Sequence, residues 1–355
     1  MIRPPLAALA ISLAVAPTPG RAADATAVPA PPAAATAPRL ATLARELAGA
    51  SPHAPASPPG GAAATLAKLA AATPADRQRL RWNHALALLA DRRPDEARGV
   101  LAVLAADEPD LRLVPAWRIA AARAAVELNL FQDAIPLLDD PQLGGASEAC
   151  AWRLRALSAL GGARAALAQL PCAKAALAAR SPADRAPFLW AAATSALAID
   201  RPDAALHFLR FAPPHPAQAR LLRAESLLRL KQAKEADRLL AKLAGSPGEP
   251  VAAAAEALRI EAAVQLGTVK PAAALKRAEA HLLRWRGDAI ERRMAVLSWD
   301  LALASGKPRS ALAAGRLPGR GRRWRGRRAL GHERHVGQQH RQHERQCVSH
   351  AFSLL

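Results

Sequence analysis

Two cysteines in the body of the chain, Cys150 and Cys172, lie eleven residues either side of Gly161. If Gly161 is the turn of an antiparallel helical hairpin, equal arms bring the two thiols level, and an oxidising compartment would join them. By chain-entropy arithmetic that bond stabilises the fold by roughly 3 kcal/mol. Two reduced thiols buried among the neighbouring alanines and leucines satisfy the same spacing. Other reactive chemistry is sparse. No Gly-rich phosphate loop follows a strand pattern, no His-Glu-x-x-His occurs, and no Gly-x-Ser-x-Gly elbow is present. His84, His207, His215 and His281 are scattered without metal-ligand spacing, and Asp139-Asp140 reads as a helix end. The expectation is a non-enzymatic protein with no cofactor, no metal and no small-molecule substrate.

The elements that carry these residues are read from alanine. Five alanine pairs twelve residues apart recur, Ala85/Ala97, Ala122/Ala134, Ala193/Ala205, Ala224/Ala236 and Ala262/Ala274. Two antiparallel helices approach closely where both present small side chains, so each pair marks the crossing point of a helical hairpin. Four of the second alanines are followed four residues later by Leu101, Leu138, Leu209 and Leu240, on the same helix face. Turn sequences repeat as well. Arg93-Pro94-Asp95-Glu96-Ala97 nearly matches Arg201-Pro202-Asp203-Ala204-Ala205, and Lys270-Pro271 and Lys307-Pro308 place Pro at the start of later second helices. Taking Ala97, Ala134, Ala165, Ala205, Ala236, Ala274 and Ala311 as second-helix markers predicts seven hairpins over residues 74–314. No stretch alternates as strands do, and the fold class is all-α.

This pattern resembles the tetratricopeptide repeat (TPR), in which each helix of a pair presents a small residue, a large apolar group follows the second, and an acidic residue and Pro close the unit, as Glu108-Pro109 do here. The resemblance covers residues 74–314 and implies a right-handed α-solenoid whose concave face grips peptides or other proteins. A related solenoid of helical pairs fits the variable unit lengths. On the TPR register the first helices line the groove and present Arg79, Trp82, Arg123, Trp190, Gln218 and Arg259. Trp and Arg are favoured anchors in binding surfaces, although Trp82 and Trp190 serve equally as inter-repeat core.

The ends read differently. Met1–Arg3, the apolar run Leu6–Val15 and the small residues before Ala25 have the order of a secretory signal peptide over 1–25. An apolar run of ten makes about 15 Å of helix, half a bilayer, so no transmembrane segment is expected after cleavage. Residues 26–73 read as an Ala/Pro-rich linker with short helices, one of them an isolated helix over 40–50. The chain carries a formal charge of +20, of which residues 315–355, with ten Arg against two Glu, supply +8. That Arg/Gly/His-rich tail is expected to be disordered, whether it is a functional arm, an inert tail or the product of a frame change in the coding sequence. Losing the end of the seventh hairpin predicts weak packing of the helix that contains Trp299. Together these features predict an exported, periplasmic scaffold for a protein or peptide partner. Accessory service to envelope machinery such as polysaccharide export or the flagellar motor is one alternative. Nucleic-acid or anionic-surface binding through the tail is another, in conflict with export.

Overall fold

Ala and Leu are strong helix formers, and wherever the chain is described it is helical or turning between helices. The computed structural model describes residues 42–49, 58–243, 250–285 and 289–316, which form seventeen α-helices and two 3₁₀ turns, with no strand among these residues. Two short helices, α1 (Thr42–Ala48) and α2 (Gly61–Ala70), come first. Antiparallel partners follow: α3 (Arg77–Ala90) with α4 (Pro94–Asp107), and α5 (Pro115–Glu127) with α6 (Phe131–Leu138). Then α7 (Ser147–Ala159) packs with α8 (Ala163–Leu167) and α9 (Leu170–Ala178). The remaining pairs are α10 (Pro182–Ala198) with α11 (Pro202–Arg210), α12 (Ala217–Arg229) with α13 (Ala233–Ala241), α14 (Pro250–Gln265) with α15 (Pro271–Arg284), and α16 (Ala289–Ala304) with α17 (Pro308–Gly315). These helices pack mainly on partners one or two places away in the chain, and all described residues belong to one unit, Leu40–Leu355. The residues expected to form an export signal, residues 26–41 and 50–57 of the expected linker, and the tail from residue 317 lie outside the described residues.

The crossing points are where the alanines put them. All ten members of the five pairs are 0–1 % exposed, and Leu101, Leu138, Leu209 and Leu240 are buried beside them. Pro94, Pro202, Pro271 and Pro308 each open a second helix, where the missing N–H is harmless.

The turns share a conformation that their sequences do not advertise. One residue in each takes a left-handed φ between 60° and 81°: Arg92, Asn129, Gly161, Asp200, Lys231, Gly267 and Gly306. In every case the next N–H reaches back five residues, as from Arg93 to Leu88 (2.9 Å), Leu130 to Ala125 (2.8 Å) and Lys307 to Ala302 (2.8 Å). This is the Schellman end of a helix, which satisfies carbonyls the helix leaves orphaned. Three of the seven positions are glycine and Asn129 and Asp200 are of types that tolerate this region, so Arg92 and Lys231 are the two that accept the full left-handed cost of about 1 kcal/mol or more.

Several expectations shift. The third marker is Ala166, fully buried, whereas Ala165 is exposed, a slip of one residue. Its partner twelve residues back is Leu154, so no alanine pair announces this crossing. The second helix of this hairpin is broken, because Pro171 cannot donate to the carbonyl four residues earlier, and α8 gives way to α9. In the last pair Trp299 stands where five of the others carry alanine. Gly315 compensates on α17: a Cβ there would meet the Trp299 ring at 2.7 Å. The helix with Trp299 is therefore packed, with Met294, Ala295, Leu301 and Ala302 buried, contrary to the expectation of a loose end. Nor is α1 isolated. Leu43 and Ala44 are buried in the same core as α3 and α4, and Glu46 pairs with Arg79 at 2.7 Å. Helix α2 starts five residues earlier than its leucines suggest, since Asp91 caps the Ala62 N–H at 2.7 Å and Thr65 Oγ1 lies 2.9 Å from His84 Nδ1.

Side chains on later first helices cap the ends of earlier ones. Arg123 donates to the Leu89 carbonyl (2.6 Å), Arg229 to Leu197 (2.5 Å) and Gln265 to Leu228 (3.2 Å). Each acceptor lies four residues after a crossing alanine, in the last turn, where its backbone donor is the N–H three residues on and not four.

A candidate ligand cleft

The residue that follows the crossing residue of a first helix faces the same way in successive hairpins. Leu86, Arg123 and Arg155 follow Ala85, Ala122 and Leu154, and all three line a cleft of about 670 Å³. Helices α3, α5, α7 and α10 contribute to it, and the break after α8 brings Ala176 and Arg180, at and just beyond the end of α9, into its wall. Cys150 on α7 and Cys172 on α9 are joined by a disulfide, with an S–S distance of 2.05 Å and Cα atoms 5.8 Å apart. The bridge ties together the two helices that carry Trp152, Arg155 and Ala176.

Four arginines and three carboxylates line the cleft. Most are committed to one another. Arg92 pairs with Asp184, which also accepts from Ser181 Oγ at 2.7 Å; this serine bond and Arg92 hold the Asp184 carboxyl below its ordinary value. Arg180 pairs with Glu148, and Glu148 accepts from Trp152 Nε1 at 2.8 Å. Arg123 Nε donates to Glu127 Oε1 at 3.1 Å. Two groups remain. The Glu127 side chain is 8 % exposed, and no protein donor reaches its Oε2. Arg155 makes no hydrogen bond or ion pair among the described residues; its guanidinium sits 5.4 Å from the ring centres of both Trp152 and Phe188. Those rings form an edge-to-face pair with centroids 5.0 Å apart. Burial, joined by the charges of Arg92, Arg123 and Arg180, lowers the Arg155 pKa, while Glu127 opposes the shift. The group nevertheless stays charged at neutral pH.

A second cleft of about 820 Å³ lies among α13, α14 and α15. Here Arg259 pairs with Asp237 at 3.3 Å and Arg284 with Glu256 at 2.8 Å. His281 is buried and its Nε2 lies 2.9 Å from the Ala253 carbonyl, which fixes that nitrogen as the donor.

The residues expected at a groove are therefore spread. Arg123 lines the first cleft and Arg259 the second. Arg79 is exposed and engaged with Glu46, Trp82 is buried in the core of the first hairpin, Trp190 is half-buried against the central core, and Gln218 is half-buried on α12. None of these four lines either cleft. Spacing did not single out Glu127, Trp152, Arg155, Arg180 or Phe188. A signal existed for Arg155: once the third hairpin is registered on Ala166, it falls in the place Arg123 holds one hairpin earlier. Among the described residues no cluster of three His, Cys, Asp or Glu could hold a metal ion, and no helix is long and apolar enough to cross a membrane. No family model matches the chain, and no curated protein matches it either.

Proposed function

We propose that this chain is a non-enzymatic TPR-like α-solenoid of seven hairpins, exported to the periplasm, that holds a protein or peptide partner against the face formed by its first helices. The carrying observation is that four first helices, α3, α5, α7 and α10, contribute to one cleft with arginine and aromatic side chains. Consecutive first helices forming one surface is what a stack of hairpins produces. The recurrence of the left-handed turn residue five places before the marker, at six of the seven turns, supports a structural repeat beneath the uneven unit lengths. Export is supported by the order of residues 1–25 and by a disulfide of a kind that persists in oxidising compartments.

A photo-crosslinking side chain at Ala179, in the cleft wall, tests the reading against one at Ala165, exposed on α8 and outside both clefts. The expected result is a discrete protein adduct from envelope extract at position 179 and none at 165. Equal labelling at both positions, or none at either, would count against a partner held in the cleft.

A further inference from the structure

The cleft between α3, α5, α7 and α10 holds one carboxylate oxygen without a donor and one guanidinium without a protein acceptor, with the Glu127 charge already facing Arg123 at 3.1 Å and Arg92 at 3.9 Å. Glu127 Oε2 is a buried acceptor without a donor, because Arg123 engages only the other oxygen. Arg155 is a guanidinium with aromatic faces beside it and no acceptor. Glu127 is close enough to act on Arg155 electrostatically, yet no hydrogen bond joins them. A buried acceptor left unpaired is costly, and a ligand that supplies the donor recovers that cost. An inorganic anion would meet Arg155 but confront Glu127, and a simple amine would do the reverse. Only a molecule with both groups answers both residues.

The geometry points to a site for an amino-acid-type zwitterion, with its carboxylate on the Arg155 guanidinium and its ammonium on Glu127 Oε2. A volume of about 670 Å³ lies within the range of small-molecule sites, about 300–1,000 Å³. The lining carries four arginines against three carboxylates, so the net positive charge favours an acidic amino acid over a neutral one and disfavours a basic one. The Trp152 and Phe188 rings flank the Arg155 guanidinium, each with its centre 5.4 Å away. This assignment runs against the expectation of no small-molecule ligand, and it does not depend on a macromolecular partner. The free N-terminus of a peptide that begins with an acidic residue offers the same chemistry.

The oxidised full chain is titrated calorimetrically with each of the twenty free L-amino acids up to about 10 mM. Glutarate and butylamine serve as probes lacking one of the two groups, and Glu-Ala-Ala-amide as the peptide source. Expected is binding of L-glutamate or L-aspartate at least tenfold tighter than glutarate, with no butylamine binding; each charge-assisted bond carries about that factor. Parallel binding of the peptide amide identifies the end group as sufficient, and binding of the free amino acid alone identifies it as the ligand; either supports the site. Glu127→Gln should bring L-glutamate down to the glutarate level without weakening glutarate. Arg155→Gln should weaken both, and Arg155→Lys should partly restore them. Variants are compared only where helicity and melting match the parent, and the ligand ratio is measured within each protein. No amino acid binding the parent, glutarate equalling L-glutamate, or a Glu127→Gln ratio unchanged from the parent would each overturn the assignment.

Discussion

At the scale of single residues, the fold depends on side chains that are small where helices cross. Ala193 is fully buried between α10 and α11, whereas Ala165 lies exposed on α8. Ala193→Leu is expected to destabilise the protein by about 1–3 kcal/mol through overpacking, and Ala165→Leu to change stability by less than about 0.5 kcal/mol, both read from urea unfolding. Equal effects would mean that alanine at the crossing is incidental. The crossings were legible because a close contact between two rods demands a small residue on each, and that demand repeats. Where the demand is met differently the pattern is silent: Leu154 in the third hairpin and Trp299 in the last replace alanine, and the first of these substitutions displaced the expected marker by one residue. Two of the left-handed turn residues were not legible for a related reason. Arg92 and Lys231 take a glycine-like φ because the helix end imposes it, and their side chains carry no trace of that, whereas Asn129 and Asp200 are of the types that tolerate it.

At the scale of helices, two ties can be tested separately. The Cys150–Cys172 bridge closes a loop across the broken second helix of the third hairpin. Reduction, or Cys172→Ala, is expected to cost about 3 kcal/mol by loop entropy, seen as a lower denaturation midpoint under reductant in the parent and no further response in the variant. The second tie is ionic. Arg293 on α16 bonds Glu261 on α14 at 2.7 Å and Glu225 on α12 at 2.7 Å, and Arg229 also bonds Glu225 at 2.8 Å. Burial pushes the Glu225 carboxyl up, but Arg293 and Arg229 outweigh it and hold the pKa below the ordinary value. Burial likewise opposes the Arg293 charge, and the two glutamates more than offset it. A depressed folded-state pKa contributes stability that is present above the unfolded value, about 4.3, and is lost as pH falls through the folded value. Melting temperature should therefore hold from neutrality down to about pH 5 and fall below about pH 4, with a shallower acid slope in Glu225→Gln. An unchanged slope in that variant would remove this ionic cluster as a source of acid lability.

At the scale of the whole molecule, the helical pairs follow from the sequence and the cleft does not. Its lining comes from α3, α5, α7, α9 and α10, and which side chains meet there depends on the angle between successive pairs and on the break at Pro171. Spacing along the chain encodes neither. The body's arginines also have a use that charge counting misses, since Arg123 and Arg229 cap carbonyls on the preceding pair. If stability is a sum of nearest-neighbour terms, deleting α16 and α17 should leave the helicity of α3–α13 intact and lower the melting temperature only in part, as followed by circular dichroism. Loss of all cooperative structure would show that the pairs do not fold as a linear array. Direction matters in those caps. Each donor follows its acceptor in the chain, by 34, 32 and 37 residues for Arg123, Arg229 and Gln265. Because synthesis runs from the amino terminus, each of these three carbonyls is already laid down when the side chain that caps it emerges, so these hairpins can lock onto finished ones as the chain leaves the ribosome.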